Sequence, residues 1–87
     1  MKTVDIQVRV AHGIHLRVAS GIAQLIKDLK AKVYISKGEQ KARADSILEL
    51  VLLEATENSK IRVTAEGVDE VKAIAKIEEF FTDGAGI

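Results

Sequence analysis

Two histidines and an arginine lie close together in the stretch AHGIHLRVAS, residues 11–20. A polar strand pattern ends there and an apolar helical pattern begins, so we expect His15 at or just before the first helical turn. The backbone N–H groups of a first turn lack intrahelical acceptors and bind anions. A phosphoryl group on the His15 imidazole would be held by those N–H groups, with Arg17 adding a charge-assisted hydrogen bond. The alternative is an ordinary polar residue before a helix, followed by a solvated cation.

The composition limits the other functions that the chain can have. Eighty-seven residues, 47% hydrophobic and 30% charged, predict a single small domain spanning residues 1–87. Thirteen basic residues balance thirteen acidic ones, so no overall charge attracts nucleic acid or an anionic membrane. The lack of cysteine excludes disulfides and thiolate metal sites. No apolar run resembles a signal peptide or a membrane span, so we expect a cytoplasmic protein without membrane insertion.

Hydrophobic periodicity places the histidines between a strand and a helix. The first segment alternates apolar and polar residues, which predicts a strand with one buried face formed by Val4, Ile6, Val8 and Val10. From Leu16 the period becomes that of an amphipathic helix, with an apolar stripe of Ala19, Ile22, Ala23 and Ile26, widened by Leu25 and Leu29. Gly13 can take the positive φ that a tight loop between the two requires.

The middle of the chain predicts a hairpin and a short helix. Val33 and Ile35 alternate with polar neighbours up to a turn at KGEQ, after which residues 40–44 fit a weaker returning strand. Ser46 and Glu49 then match the S-x-x-E capping box, in which each side chain accepts the other residue's backbone N–H.

The last third of the chain predicts one more strand and one more helix. Apolar residues at 61, 63 and 65 alternate with polar ones up to Gly67. Acidic residues at 69 and 70 favour a helix start, and we expect the buried side of that helix to contain Val71, Ile74, Ile77 and Phe81. Gly84 and Gly86 predict a frayed end.

The resulting order is β-α-β-β-α-β-α, which makes the fold class α+β. Every strand is apolar on one face only, so all three helices should cover that face and leave the other in solvent. Periodicity does not give the order of strands in the sheet, and a ferredoxin-like sheet has the same succession of elements.

Two segments resemble one known family over this scaffold. GIHLRVAS is similar to the active-site segment of HPr, the histidine-containing phosphocarrier of the bacterial phosphoenolpyruvate-dependent sugar phosphotransferase system, whose usual form reads G-I/L-H-A-R-P-A. DSILELVLLE resembles the segment around that family's regulatory serine, at the family's spacing from the histidine. The resemblance covers essentially the whole chain. It implies an open-faced sandwich with a four-stranded antiparallel sheet and three helices on one side.

The resemblance also implies a function. His15 would accept a phosphoryl group from phosphorylated enzyme I and donate it to a sugar-specific IIA component, with Arg17 as the anion partner. The protein would then be a carrier without a cofactor rather than an enzyme. The chain departs from the family pattern at Leu16, where a small residue is usual, and at Val18, where proline is usual. These departures motivate an alternative, a regulatory paralogue that docks on enzymes or transcriptional regulators.

Two interpretations of the segment after residue 45 remain open. Ser46 fits a structural N-cap, whereas the resemblance implies regulatory phosphorylation by an HPr kinase, which the carboxylate of Glu49 opposes. We expect Leu50 and Leu53 in the core. By resemblance, the partner-docking surface beside His15 comprises Ile47, Leu48 and Val51, extended by Leu16; the alternative is that these residues enlarge the core.

Two further function classes are disfavoured by the residues themselves. His12 and His15 form an H-x-x-H pair, but no third ligand accompanies them, so we expect no metal site. A ferredoxin-like nucleic-acid module would need aromatic residues on its central strands and a basic face. Tyr34 is the only strand aromatic and the net charge is zero, so we expect no nucleic-acid partner.

Overall fold

The computed structural model describes residues 1–85 and confirms the predicted α+β class and order of elements. One antiparallel sheet contains four strands in the order β1-β4-β2-β3. The strands are β1 (Lys2–Gln7), β2 (Lys32–Lys37), β3 (Gln40–Arg43) and β4 (Lys60–Glu66). The helices are α1 (Leu16–Ile26), α2 (Ile47–Leu52) and α3 (Glu70–Thr82). The strand order that periodicity left open therefore places β4 between β1 and β2.

The strand register separates an apolar face from a polar one. One row of paired residues crosses all four strands on the helix side, through Val4, Val63, Ile35 and Ala42. The next row crosses the open side, through Asp5, Arg62, Ser36 and Lys41. Arg62 donates to Asp5 at 2.8 Å, and this hydrogen bond lowers the pKa of the Asp5 carboxyl. The alternation confirms the open-faced sandwich, because apolar burial is restricted to the side that the helices cover.

The buried helix residues agree only in part with the predicted stripes; Ile74, for example, was predicted to be buried and is partly buried. In α1 the fully buried residues include Val18, whereas Ala23 is only partly buried. In α3 the buried residues are Ala73, Ile77 and Phe81, and the prediction that Val71 is buried is wrong, because its side chain is 62% exposed. Side chains two positions apart in a helix point about 200° away from each other around the axis. When Ala73 faces the core, Val71 therefore faces solvent.

Packing continues beyond β1 near the start of the chain and beyond α3 near its other end. The ladder of β1 ends at Gln7, but Val8 and Val10 stay buried, and Val8 exchanges backbone hydrogen bonds with residues 58 and 59. At the other end Ala85 is buried and its N–H donates to the Phe80 carbonyl at 2.8 Å, so the chain does not fray at Gly84. Gly86 lies outside the described residues. No described helix has the length and apolarity needed to cross a membrane.

Backbone atoms fix the loop that precedes α1. Gly13 has φ +67°, and a Cβ there would meet the Ala55 carbonyl oxygen and approach the Thr56 Cα to 2.7 Å. The next N–H, that of Ile14, donates to the Ala55 carbonyl at 2.8 Å. His12 also has a positive φ, of +69°, which the sequence did not indicate. Only glycine satisfies both the conformation and the close approach at position 13.

We predict that Gly13→Ala destabilises the domain by at least twice as much as Gly38→Ala. Gly38 has nearly the same φ, +61°, but no atom lies within 4 Å of its added Cβ. The hairpin variant should therefore lose only about 1 kcal/mol of unfolding free energy, from conformational strain. Gly13→Ala adds a clash with backbone atoms to that strain. Urea unfolding of both variants measures the difference, and equal losses would contradict the tight contact between the loop and residues 55–56.

Candidate functional site

His15 is the N-cap residue of α1, as predicted. Its backbone is extended, with φ −97° and ψ −175°, and its carbonyl accepts the Ala19 N–H at 2.9 Å. Its side chain makes no capping hydrogen bond and is partly exposed. Within the described chain, the N–H groups of Leu16, Arg17 and Val18 consequently have no acceptor. An anion bound beside the imidazole would satisfy them.

Arg17 belongs to the same helical turn and is exposed. Among residues 1–85 the ion pairs are Glu70 with the N-terminal ammonium, Arg43 with Asp45, and Arg62 with Asp5. The Arg17 guanidinium therefore keeps its donors for an external anion, and its planar fork matches phosphate oxygens. The structure thus brings an imidazole ring, three free N–H groups and an unpaired cation to one helix start, within the described residues.

The two departures from the family pattern have different structural consequences. Val18 is fully buried, and its side chain is part of the hydrophobic core. Leu16 is 66% exposed and adds apolar surface directly after His15.

The short helix α2 presents apolar side chains near the same end of α1. The hydrogen bond between Ile14 and Ala55 joins the chain after α2 to the loop before His15. At the other end of α2, a shallow groove is lined by Ile47 and Asp45 together with residues of the second half of α1 and its C-cap: Ser20, Ala23, Gln24 and Lys27. The two helices therefore run antiparallel, and successive turns of α2 lie along α1 from Lys27 towards His15.

Exposure separates the docking residues predicted on α2 from its core residues. Leu50 and Leu53 are buried, which confirms the predicted core. Leu48 is 68% exposed and Ile47 37% exposed, whereas Val51 is partly buried against the core. Leu52, which the sequence analysis missed, is 62% exposed; its i, i+4 spacing from Leu48 was the available signal. We call Leu16, Ile47, Leu48 and Leu52 the apolar surface.

Ser46 caps α2, but the predicted capping box is only half formed. The Ser46 hydroxyl accepts the Glu49 N–H at 3.2 Å, as expected. The Glu49 carboxylate accepts the Arg43 N–H at 3.0 Å, so the predicted return bond to the Ser46 N–H is wrong. That N–H donates instead to the Arg43 carbonyl at 3.1 Å. The turn before α2 thus satisfies the serine N–H locally and turns Glu49 towards the end of β3.

Arg43, at the start of this turn, forms an ion pair on the surface. Its side chain donates to the Asp45 carboxylate at 3.0 Å, and this hydrogen bond raises the pKa of Arg43.

Across residues 1–85 no three histidine, acidic or cysteine side chains are grouped in a way that would hold a metal ion.

Comparison with known proteins places the chain among phosphocarriers. Residues 2–83 match a family model described as PTS HPr component phosphorylation site. The chain is 30% identical to the phosphocarrier protein HPr of Buchnera aphidicola over 78 residues, 90% of this chain and 92% of that protein. It is also 30% identical to the phosphocarrier protein NPr of Klebsiella oxytoca over 84 residues, 95% of this chain and 91% of that protein.

Other relatives are much longer, and solved structures share the fold. The phosphoryl donor subunit DhaM of the phosphoenolpyruvate-dependent dihydroxyacetone kinase of Providencia stuartii is 37% identical over 62 residues, 71% of this chain. The chain spans 13% of that subunit's length and 18% of the corresponding Pantoea ananatis subunit. The structure of HPr-C-His from Thermoanaerobacter tengcongensis superposes with a TM-score of 0.94 at 26% identity, covering 100% of this chain and 98% of the other. Phosphocarrier proteins of the HPr family carry phosphoryl groups and are carriers rather than enzymes. The chain belongs to the HPr family of phosphotransferase-system phosphocarriers.

Proposed function

We propose that residues 1–87 form one HPr-like carrier domain that works in the cytoplasm. In this proposal His15 accepts a phosphoryl group from phosphorylated enzyme I and passes it to IIA components. The ring nitrogen that bears no proton attacks phosphorus, a P–N bond forms, and the bond to the donor group breaks. The observation that carries the proposal is the position of His15 as an N-cap whose side chain leaves the helix-start N–H groups free.

The first turn of α1 supplies the groups that the modified histidine needs. The free N–H groups at positions 16–18 would stabilise the phosphoryl oxygens, and the helix dipole favours negative charge there. Arg17 would add a charge-assisted hydrogen bond from its exposed guanidinium. The partners supply the remaining catalytic groups, which is consistent with membership in a family of carriers.

The apolar surface is the proposed contact with enzyme I and the IIA components. Leu16 follows His15 directly, and Leu48 and Leu52 lie on one face of α2 with more than half of each side chain exposed. When a partner covers such exposed leucine side chains, apolar surface is removed from water, which favours binding. Val51 supports this surface from beneath, because it is partly buried against the core.

A regulatory paralogue is the second candidate. The chain is 30% identical both to an HPr and to an NPr, so identity does not favour one branch of the family over the other. In this candidate the protein docks on transcriptional regulators, and an HPr kinase phosphorylates Ser46. The hydroxyl of Ser46 already accepts one backbone N–H, and the same helix start would also receive a phosphate.

The first functional prediction is that incubation with phosphoenolpyruvate and enzyme I adds one acid-labile, base-stable phosphoryl group. Intact-mass spectrometry should show this group on wild type and on His12→Ala but not on His15→Ala. Arg17→Ala should slow the transfer without lowering the thermal midpoint, because the guanidinium contacts an anion rather than the core. An acid-stable product, or one that persists in His15→Ala, would show that His15 is not the acceptor.

The second functional prediction concerns the apolar surface. Leu48→Glu should weaken enzyme I binding by about 1 to 3 kcal/mol, because the complex would desolvate a carboxylate there. Unfolding free energy should stay nearly unchanged, whereas Leu50→Ala, on the buried side of the same helix, should lose about 2 to 5 kcal/mol. Calorimetric titration and urea unfolding measure the two effects.

Val68→Glu is the matched control for Leu48→Glu. Val68 is 86% exposed and follows the end of β4 that lies away from His15, so its variant introduces the same charge at a remote surface. Equal weakening by both glutamates would mean that net charge, and not the apolar surface, governs the association.

The third functional prediction separates the two roles of Ser46. Ser46→Ala should lower the unfolding free energy by about 0.5 to 2 kcal/mol, and Ser46→Asp, another good N-cap, should restore most of it. If the regulatory candidate holds, Ser46→Asp should also slow phosphorylation of His15, and more strongly when Glu49→Gly removes the neighbouring carboxylate. Unchanged rates in both backgrounds would leave Ser46 as a helix cap only.

A further inference from the structure

A second concave site lies at the end of α1 opposite His15. It is a cleft of 390 Å³ lined by the last turn of α1, the start of β2 and the segment from the end of β3 to Asp45. His15 is the N-cap of α1, whereas Lys27, in this cleft, is its C-cap. With a rise of 1.5 Å per residue, the two ends are separated by roughly 18 Å. A ligand in the cleft would therefore leave the His15 site accessible.

Positive charge converges on this cleft from three separate elements. Lys27 ends α1, Lys32 begins β2 and Arg43 ends β3. The only acidic residue of the lining is Asp45, which is paired with Arg43 at 3.0 Å. Among the lining residues, three cations and one carboxylate leave two positive charges, in a chain whose net charge is zero. Beside the lining, Glu66 is paired in register with Lys32 across β4 and β2, and the Lys41 ammonium lies 4.3 Å from the Tyr34 ring centroid, so these neighbours add one charge of each sign. In the described chain Lys27 and Lys32 form no ion pair, so both ammonium groups remain available to a ligand.

The floor of the cleft is apolar. Ile26 is 6% exposed and Val33 5% exposed, and the partly buried Leu29 packs beside them. The partly buried Tyr34 also lines the cleft, and the Lys41 ammonium lies over one face of its ring. The volume falls within the range of about 300 to 1,000 Å³ that is typical of small-molecule sites. The lining therefore suits a compact ligand with a hydrophobic body and a charged end.

We propose that this cleft binds a small organic phosphomonoester with an apolar or aromatic body. A phosphomonoester carries close to two negative charges at neutral pH, matching the two unbalanced positive charges, whereas a carboxylate carries one. The ammonium groups of Lys27 and Lys32 would pair with the phosphoryl oxygens as point charges, and Arg43 would donate those guanidinium N–H groups that Asp45 does not occupy. The organic body would cover Leu29 and the Tyr34 ring.

The probe for the test is 1-naphthyl phosphate, titrated into ¹⁵N-labelled protein. We expect saturable amide shifts confined to residues 26–34 and 43–45. Inorganic phosphate and 1-naphthol, which each carry half of the recognition chemistry, should bind at least about tenfold more weakly. Shifts centred on the apolar surface, or equal binding of 1-naphthol, would overturn the proposal.

Charge variants make the test specific to the cleft. Lys32→Gln and Arg43→Gln should each weaken binding about five- to thirtyfold by removing one charge-assisted interaction. Lys76→Gln makes the same charge change at an exposed position of α3 outside the cleft and should bind like wild type. Equal affinity in all three variants would overturn the proposal. His15→Ala should bind the probe normally, so this result is independent of phosphoryl transfer.

Discussion

The loop before α1 meets the segment after α2 in a close contact between backbone atoms. The Ile14 N–H donates to the Ala55 carbonyl at 2.8 Å, and the absence of a side chain at Gly13 permits the approach. This contact fixes where α1 begins and therefore where the His15 ring lies. It also sets α2 antiparallel to α1, which places exposed leucines beside the histidine. The relation between the candidate nucleophile and the candidate docking surface thus depends on one glycine.

The start of α1 lacks the side-chain capping hydrogen bond that stabilises the start of α2. Ser46 caps α2 with its hydroxyl, whereas the side chain of His15 makes no capping bond. A missing cap costs a helix about 1 kcal/mol, which buried residues such as Val18 and Ile22 offset in α1. Departures from local stability rules, such as side-chain capping of a helix, often occur at functional sites. Here the missing cap leaves three N–H groups free at the point where an anion is proposed to bind.

The sequence predicts those features that depend on local periodicity. One-faced strands follow from alternation, the position of His15 at a helix start follows from the change of period, and the Ser46 N-cap follows from the S-x-x-E pattern. Periodicity does not encode contacts between distant segments, and three features depend on such contacts. They are the order of strands, the Arg43 N–H that donates to the Glu49 carboxylate, and the exposure of Val71. Leu52 was missed because it falls within a continuous apolar run, LVLL, whose exposed members are set by how α2 rotates against α1.

The most direct test of the account follows the backbone amides of α1 during modification of His15. In ¹H–¹⁵N spectra recorded before and after phosphorylation by enzyme I, the amide protons of Leu16, Arg17 and Val18 should move downfield, because they donate to phosphoryl oxygens. Amides of α3 should stay in place. Unmoved signals at all three positions, in protein whose His15 carries the phosphoryl group, would contradict the claim that the uncapped helix start holds it.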